Sequence, residues 1–252
     1  MPIEEHPSDE LLSRLVEEAR ASGAESVTIE VAPTVAGAWA RAGFTEQARV
    51  LTAPIESLEA RLQAEAGPSF GSVHVQTDDI DGVVRAVRQF VPRMPGSSKG
   101  SVVAPPRNGW VAVYDELADR DPEMLRRLAR ELSDRMGAVV LLLGVEAVQV
   151  VRFVLFERGR IMDEYLSVPE FHGELPPGDV IALSANPTVV ARLTGADPAE
   201  VRRVVRTAKA PEQLPPATQL VAQVASVLGV AGAEHGYAGA EAVPDVILLP
   251  RE

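Results

Sequence analysis

The sequence predicts an α+β protein made of several small modules. Three observations lead to this prediction: a length of 252 residues, a hydrophobic content of 46%, and apolar spacing that alternates along the chain between strand-like and helix-like periods. Stretches rich in Gly and Pro separate the periodic segments. The expected organisation is a module over residues 1–62, a second over 69–170, a helical module over 178–230 and a tail over 231–252.

The first module is predicted to run helix, strand, helix, strand. Ser8 or Asp9 is a suitable N-cap, the apolar residues that follow recur at helical spacing, and Gly23 ends the helix. "SVTIEV" alternates as a strand does, "VAGAWARAG" predicts a short helix, and "EQARVLTAPI" predicts a second strand. A segment of small residues, Gly and Pro over 61–71 is the expected linker.

The second module has the element order β-α-β-β-α-β. "SVHVQT", "SVVA", "GWVAVYDE" and "AVVLLLGV" predict strands, while "DDIDGVVRAVRQFV" and "DPEMLRRLARELSDRMG" predict amphipathic helices. This order is the split β-α-β pattern of ferredoxin-like folds. "QVVRFVLFE" and "RIMDEYLSV" meet at the turn Arg158-Gly159, and we expect them to extend the sheet as a hairpin.

The remainder of the chain is predicted to be helical and then irregular. The segments "NPTVVARLTG", "DPAEVRRVVRTA" and "PPATQLVAQVASVLG" begin either with a cap residue followed by Pro or with Pro itself, which suits the first turn of a helix. The final stretch is rich in Gly and Ala and is acidic, so we interpret it as a tail. Its last apolar run, "DVILLP", is a candidate strand that docks on another element.

Charge and composition restrict the classes of function. The net charge of -12 and the pI near 4.9 disfavour binding to phosphate backbones or anionic lipid by the chain as a whole. There is no cysteine, so disulfides and thiolate chemistry are excluded. The first residues lack a signal-peptide pattern, and the longest apolar runs are too short to span a membrane, so a cytoplasmic protein without membrane partners is expected.

Residues Leu11 to Ile55 resemble the C-terminal half of a GNAT-family N-acetyltransferase. The resemblance rests on "LLSRLVEEARASGAESVTIEV" followed by "AWARAGFTEQARVL", and its most specific part is Ala42-Gly43-Phe44. It implies descent from an acetyltransferase domain. In that family a Gly-rich loop binds the pyrophosphate of acetyl-CoA at the start of the first helix, whereas this chain has the acidic "EEHPSDE" there.

The position that the family resemblance assigns to a Tyr proton donor holds Trp39, whose indole N–H is not a useful acid. We therefore interpret Trp39 and Phe44 as core residues of a retained scaffold. The truncated sheet of such a scaffold has an open edge, which predicts pairing with a partner protein or with a second copy of the chain.

Residues 188–229 resemble the helix-turn-helix of lac-repressor-type DNA-binding domains. The segment "VARLTGADPAEVRRVVRTA" carries this resemblance, with Gly195 in the turn and Asp197 as the cap of the second helix. Residues 186–230 hold five basic and three acidic side chains, a net of +2 within an acidic chain. The resemblance implies that Arg202, Arg203 and Arg206 contact DNA.

A small-molecule site is expected between the sheet and the helical module. His74, Trp110, Tyr114 and Tyr165 are the candidate ligand-binding residues, because their aromatic faces and polar tips are predicted to converge there. The four histidines show no spacing typical of metal ligands, and no catalytic set of side chains is recognisable. Neither a metal site nor a catalytic residue is therefore predicted.

The leading functional prediction is a non-catalytic binding or interaction protein, derived in part from an acetyltransferase scaffold and forming a homo-oligomer such as a homodimer. Two alternatives stay open. The first is a DNA-binding regulator that acts through residues 190–208. The second is a GNAT-type N-acetyltransferase completed by a second chain, and only this alternative implies a cofactor, acetyl-CoA.

Overall fold

The computed structural model describes residues 7–30, 35–47, 50–54 and 69–250. The chain divides into two compact units, Met1–Pro68 and Ser69–Glu252. The described residues form a mixture of helices and strands, which agrees with the predicted α+β class. Of the expected linker over 61–71, residues 61–68 lie outside the described residues. The segment "EEHPSDE" of the first module is described from residue 7 onward.

Over residues 7–30, 35–47 and 50–54, the first unit forms two helices and a three-stranded antiparallel sheet. Strand β3 lies in the middle and pairs with β1 on one side and with β2 on the other. The single strand predicted over "EQARVLTAPI" is a hairpin of two strands. The elements are α1 (Asp9–Ala21), β1 (Ser26–Glu30), α2 (Ala36–Arg41), β2 (Thr45–Gln47) and β3 (Val50–Pro54).

Trp39 and Phe44 lie at the centre of the core of this unit. Their rings meet edge to face, with centroids 5.2 Å apart and planes at 84°. Both side chains are buried, as predicted, and they pack with Leu12 and Val16 of α1. At the start of α1 the Ser8 hydroxyl accepts a hydrogen bond from the Leu11 N–H, which is the predicted cap.

The second unit is built on a seven-stranded antiparallel sheet. The strand order across the sheet is β10-β5-β6-β4-β7-β8-β9. The strands are β4 (Phe70–Gln76), β5 (Gly100–Val103), β6 (Trp110–Asp115), β7 (Val139–Glu146), β8 (Val150–Glu157), β9 (Arg160–Leu166) and β10 (Ile247–Pro250). The added hairpin β8–β9 is present, with Arg158 and Gly159 both at positive φ in its turn.

Helices cover both faces of this sheet. Helices α3 (Ile80–Phe90) and α5 (Pro122–Met136), with the short α4 (Glu116–Arg120) between β6 and α5, pack on the face that includes Val73 and Val75. The opposite face includes Leu141 and Leu143 and is covered by later helices. Because both faces are buried, β7 is apolar up to Glu146, and β8 is apolar apart from Arg152 and Glu157.

The later helices are α6 (Pro177–Ala182), α7 (Pro187–Thr194), α8 (Pro198–Val204), α9 (Ala217–Leu228) and α10 (Tyr237–Ala240). Asn186 and Asp197 cap α7 and α8 with their side-chain oxygens, and Gly195 and Gly229 end α7 and α9 in the left-handed conformation. None of the helices in the described ranges has the length and apolar composition needed to cross a bilayer.

The segment after α9, interpreted as a tail, is folded onto the sheet. Strand β10 pairs antiparallel with β5, so the apolar run near the C-terminus docks as a strand. Nearer the start of this segment, the Gly232 carbonyl accepts a hydrogen bond of 2.8 Å from the Tyr114 hydroxyl of β6. A Cβ on Gly232, whose φ is +81°, would lie 2.3 Å from that hydroxyl, so only glycine permits this approach.

The turn between β7 and β8 offers a test of backbone strain. Ala147 and Val148 both have positive φ, at 54° and 56°, a conformation that costs a β-branched residue about 1–2 kcal/mol. We expect Val148→Gly to increase the free energy of unfolding by about 1 kcal/mol, because glycine adopts this conformation without the steric penalty. The greater backbone entropy of glycine in the unfolded chain offsets part of this gain. Urea denaturation measures the change.

Gln149→Gly is the matched control, since Gln149 lies in the same turn without positive φ. It should reduce stability slightly through the entropy of the unfolded chain. Equal destabilisation by the two glycine substitutions would contradict the strain at Val148.

Candidate functional site

An open cleft of about 800 Å³ lies on the helical-module face of the sheet in the second unit. Its walls come from the β5–β6 hairpin, the C-terminal half of α9 and the segment over 229–244. Its volume is within the range typical of small-molecule sites. The side chains with polar or aromatic groups that line it are Arg107, Asn108, Trp110, Tyr114, Glu234 and His235.

A tight turn positions the hairpin wall of the cleft. Asn108 and Gly109 have φ of 53° and 79°, as in the Asn-Gly turns that join adjacent strands. Arg107 and Trp110 exchange backbone hydrogen bonds of 2.9 and 3.0 Å across this turn. The Asn108 side-chain amide then donates 3.2 Å to the Gly229 carbonyl, which ties the turn to the end of α9.

Small residues create the space in the cleft. Ala104 directly follows β5 and Ala112 lies on β6, while Ala222 and Ala225 lie on the facing side of α9. Larger side chains at these positions would fill the gap between the hairpin and the helix. The cleft is therefore a consequence of the local sequence, and its aromatic groups stand beside a small-residue surface.

Tyr114 and His235 form the aromatic pair of the cleft. Their rings stack with centroids 5.1 Å apart and an angle of 27° between planes. Burial raises the pKa of Tyr114, and the nearby Glu234 carboxylate raises it further while Arg107 lowers it. The phenol is therefore neutral at physiological pH, and its hydroxyl is occupied as a donor to Gly232.

A second anchor holds the same segment against the sheet. The Asp119 carboxylate accepts hydrogen bonds from the backbone N–H of Gly71, at 3.0 Å, and of Tyr237, at 2.7 Å. Burial raises the pKa of Asp119 to about 6, although both N–H groups oppose that rise. Tyr114 and Asp119 together fix residues 232–237, which form one wall of the cleft.

His74 is completely buried on β4, beside Ala112 in the strand register. Its Nε2 lies 2.8 Å from Ser72 Oγ, whereas its Nδ1 has no hydrogen-bond partner. Burial first and the charge of His235 second lower the pKa of His74 to about 3, so the ring is neutral. His235, whose charge affects the pKa of His74, lines the cleft, whereas His74 does not.

Tyr165 lies apart from the cleft. It is buried in the core between the sheet and the helical module, where its ring contacts Phe153 at a centroid distance of 5.2 Å. Its hydroxyl donates 2.7 Å to the Arg206 carbonyl. Tyr165 thus connects β9 to the segment that follows α8.

Of the four predicted ligand residues, the structure brings Trp110 and Tyr114 into the cleft. The cleft also contains four polar side chains that were not predicted from the sequence: Arg107, Asn108, Glu234 and His235. The Asn-Gly pair was a usable indication of a tight turn that exposes its flanking residues. The C-terminal glycines gave no comparable indication, because a close approach to Tyr114 depends on contacts between distant parts of the chain.

A second polar cluster connects α5, β7, β8 and β9. Arg126 donates two hydrogen bonds of 2.7 Å to the carboxylate of Glu164, which also pairs with Arg152 at 2.9 Å. Arg152 also pairs with Glu146, whose other oxygen lies 2.6 Å from His172 Nε2. Each charged group in this cluster has a partner of opposite charge, so the cluster functions as a structural link between strands.

The lowered pKa of Glu146 makes the free energy of unfolding depend on pH. Burial opposes ionisation of Glu146, but the hydrogen bond with His172 and the charge of Arg152 outweigh it and lower its pKa to about 2. A lowered folded-state pKa gives stability that is present above pH 4.5 and is lost as the pH falls through 2. The lowering corresponds to about 3 kcal/mol.

The advantage of the wild type over Glu146→Gln should therefore shrink by about 3 kcal/mol between pH 6 and pH 2. Denaturant unfolding at several pH values measures it. Glu131→Gln, which breaks the more exposed helical pair with Arg135, is the control and should show a change below about 1 kcal/mol. Parallel pH profiles for wild type and Glu146→Gln would contradict the role of this carboxylate.

The arginines predicted to contact DNA lie in and after α8. Arg202, Arg203 and Arg206 are all exposed, and the buried face of α8 consists of Val201 and Val204. Arg203 pairs with Glu200 at 2.7 Å, which partly neutralises the exposed face. Helix α8 packs against both α7 and α9.

Within the described ranges, no group of three or more His, Asp or Glu side chains is arranged to hold a metal ion. Comparisons with protein-family models, curated proteins and solved structures gave no match for this chain. The chemistry of the cleft and of the helical module is therefore the basis for a functional proposal.

Proposed function

We propose that this protein is a non-catalytic binding protein whose small-molecule ligand occupies the cleft beside Trp110 and Tyr114. The observation that carries the proposal is the cleft itself: an opening of about 800 Å³ with small residues along its hairpin and helix walls and several polar groups in its lining. Its hairpin and C-terminal walls are held by specific hydrogen bonds, so the site is formed before a ligand enters.

The polar groups of the cleft favour binding over catalysis. The Tyr114 hydroxyl already donates to Gly232, and His235 Nδ1 lies 3.3 Å from the Gly236 carbonyl. Ser226, the hydroxyl group of the α9 wall, makes no hydrogen bond to a histidine in the described part of the chain. An activated nucleophile needs such a base within hydrogen-bond reach.

A blocking substitution tests the proposed site. Ala222 is an exposed cleft residue on α9, so Ala222→Trp should fill the cleft without disturbing the core. Small aromatic fragments screened by ligand-observed NMR should bind the wild type, and Ala222→Trp should weaken them at least tenfold. Ala182→Trp, on the exposed end of α6, is the control and should leave binding unchanged.

Failure of every fragment to bind the wild type at millimolar concentration would contradict the proposed function. So would binding that Ala222→Trp and Ala182→Trp leave equally intact, because the fragments would then lie elsewhere.

We also propose a finer fold assignment for each of the two units. The order β5-β6-β4-β7 with α3 and α5 on one face supports a ferredoxin-like arrangement to which β8, β9 and β10 are added. The helix-strand-helix order and the Trp39–Phe44 core of the first unit support descent from a GNAT scaffold. Strands β1 and β2 each pair with β3 on one side in the described residues, which supports a homo-oligomer or a protein partner at a sheet edge.

DNA binding by residues 190–208 is the second candidate function. The exposed arginines on and after α8, within a region of net charge +2, support it. We expect a mobility shift with duplex DNA at low salt that is lost in Arg202→Ala/Arg206→Ala, since these side chains would contact phosphates. Arg127→Ala/Arg130→Ala on the exposed face of α5 is the control and should leave the shift unchanged.

The acetyltransferase alternative has a direct test as well. Asp9 and Glu10 lie in the first turn of α1, where the resemblance would place the pyrophosphate of acetyl-CoA, and their charges oppose it. Calorimetry with acetyl-CoA would support this alternative if it measured a dissociation constant below about 1 mM. An absence of heat at that concentration would end it.

A further inference from the structure

Strand β10 is an open edge of the seven-stranded sheet. It pairs with β5 on one side and stands at the end of the strand order, so its other side has no strand partner within the described residues. Ile247 and Leu249 belong to the core beneath α3, whereas the Leu248 side chain is 55% exposed. An uncharged, apolar edge of this kind is a template for a further strand.

The register of β10 indicates which of its backbone groups face the open side. Residues of an antiparallel pair alternate between those that hydrogen-bond the partner strand and those that point away from it. Pro250 stands opposite Gly100 of β5, but Pro250 has no N–H, and the Gly100 N–H donates to Ser98 Oγ. Pro250 therefore belongs to the set that points away from β5. Leu248, two residues earlier, belongs to the same set, so its N–H and C=O are directed to the open side.

A groove of about 560 Å³ lies between this edge and α3. One wall is the end of α3 with the short 3₁₀ helix Val91–Arg93, and the other is the end of β10 with the start of β5. The apolar residues of its lining are Val87, Val91, Pro92, Leu249 and Pro250. Side chains of a strand alternate between the two faces of a sheet, so every second side chain of a strand added to β10 adjoins this groove.

The walls of the groove belong to the longest stretch of the sequence without an acidic residue. Residues 82–114 contain five basic residues and no acidic one, although the whole chain has a net charge of -12. Arg88 lines the groove, and Arg93 ends the 3₁₀ helix. Both side chains are exposed, and neither forms an ion pair within the described residues. Lys99, just before β5, is also exposed, with Nζ 4.0 Å from the Glu116 carboxylate. The local charge therefore favours an acidic ligand.

We propose that the β10 edge and this groove bind an extended, acidic polypeptide segment of a partner protein. The segment pairs with β10 as an added strand through the backbone groups of Leu248. Its apolar side chains adjoin the groove, and its carboxylates lie near Arg88 and Arg93. Free N–H and C=O groups on a strand edge are matched by another polypeptide backbone, which favours a peptide over a nucleic acid. The groove shares no lining residue with the cleft, so this inference goes beyond the proposed function.

Synthetic peptides test the mode of binding. A short fluorescein-labelled peptide in which Val and Glu alternate should bind the full chain, by fluorescence anisotropy, with a dissociation constant of about 100 μM or lower. The same peptide with Lys in place of Glu should bind about tenfold more weakly, because the walls of the groove are basic. Methylation of the backbone nitrogens should abolish binding for either the Val set or the Glu set but not for both, since alternate N–H groups of a strand point to opposite edges.

Substitutions locate the peptide on the protein. Leu248→Pro removes an N–H that is directed to the open side and leaves the pairing with β5 in place, so it should abolish binding with little change in melting temperature. Arg88→Glu/Arg93→Glu should weaken the Val–Glu peptide by about tenfold. Arg127→Glu/Arg130→Glu, on the exposed face of α5, changes the net charge equally and should leave binding unchanged.

The proposal is overturned if the two methylated peptides bind equally well, or if the variants at Leu248, Arg88 and Arg93 leave binding intact. The methylated peptides need no variant, so a loss of folding in Leu248→Pro leaves this test in place. Two further results also overturn it. A single-stranded oligonucleotide that binds more tightly than the peptide would assign the groove to nucleic acid. Light scattering that shows a dimer for the wild type and a monomer for Leu248→Pro would assign the edge to a second copy of the chain.

Discussion

Burial of both faces of the sheet determines the organisation of residues 69–252. Helices α3 and α5 cover one face, and α7, α8, α9 and the C-terminal segment cover the other. Polar groups on such a sheet must be paired inside the protein or face an opening. The helical module and the C-terminal segment cover most of their face of the sheet. The cleft is the opening that remains between them, and polar groups of the sheet can reach solvent there.

The C-terminal segment completes the cleft through contacts that need glycine. Gly232 lies against the Tyr114 hydroxyl, and Gly236 lies against the Asp119 carboxylate, where a Cβ would come within 2.3 Å in each case. These approaches allow His235 to stack on Tyr114 and place Glu234 at the same opening. A segment with bulkier residues would stand farther from the sheet, and the aromatic pair would be lost.

Periodic segments were predictable from the sequence because helix and strand periods follow directly from which side of an element is buried. The caps Ser8, Asn186 and Asp197 and the turn at Arg158-Gly159 depend on neighbouring residues alone, so local sequence identified them as well. The site was less predictable. Trp110 and Tyr114 follow from the pattern of β6, whereas Glu234 and His235 reach the cleft only through the long-range packing of residues 229–244.

Charged groups in the cleft differ in their pairing from those of the cluster around Glu146. Arg152 forms ion pairs with Glu146 and Glu164, and these pairs connect neighbouring strands of the sheet. Arg107 and Glu234 stand near the same phenol without such partners in the described chain. Because no ion pair within the described residues occupies these two side chains, they remain available to a ligand in the proposed cleft site, whereas the charges around Glu146 are held by each other.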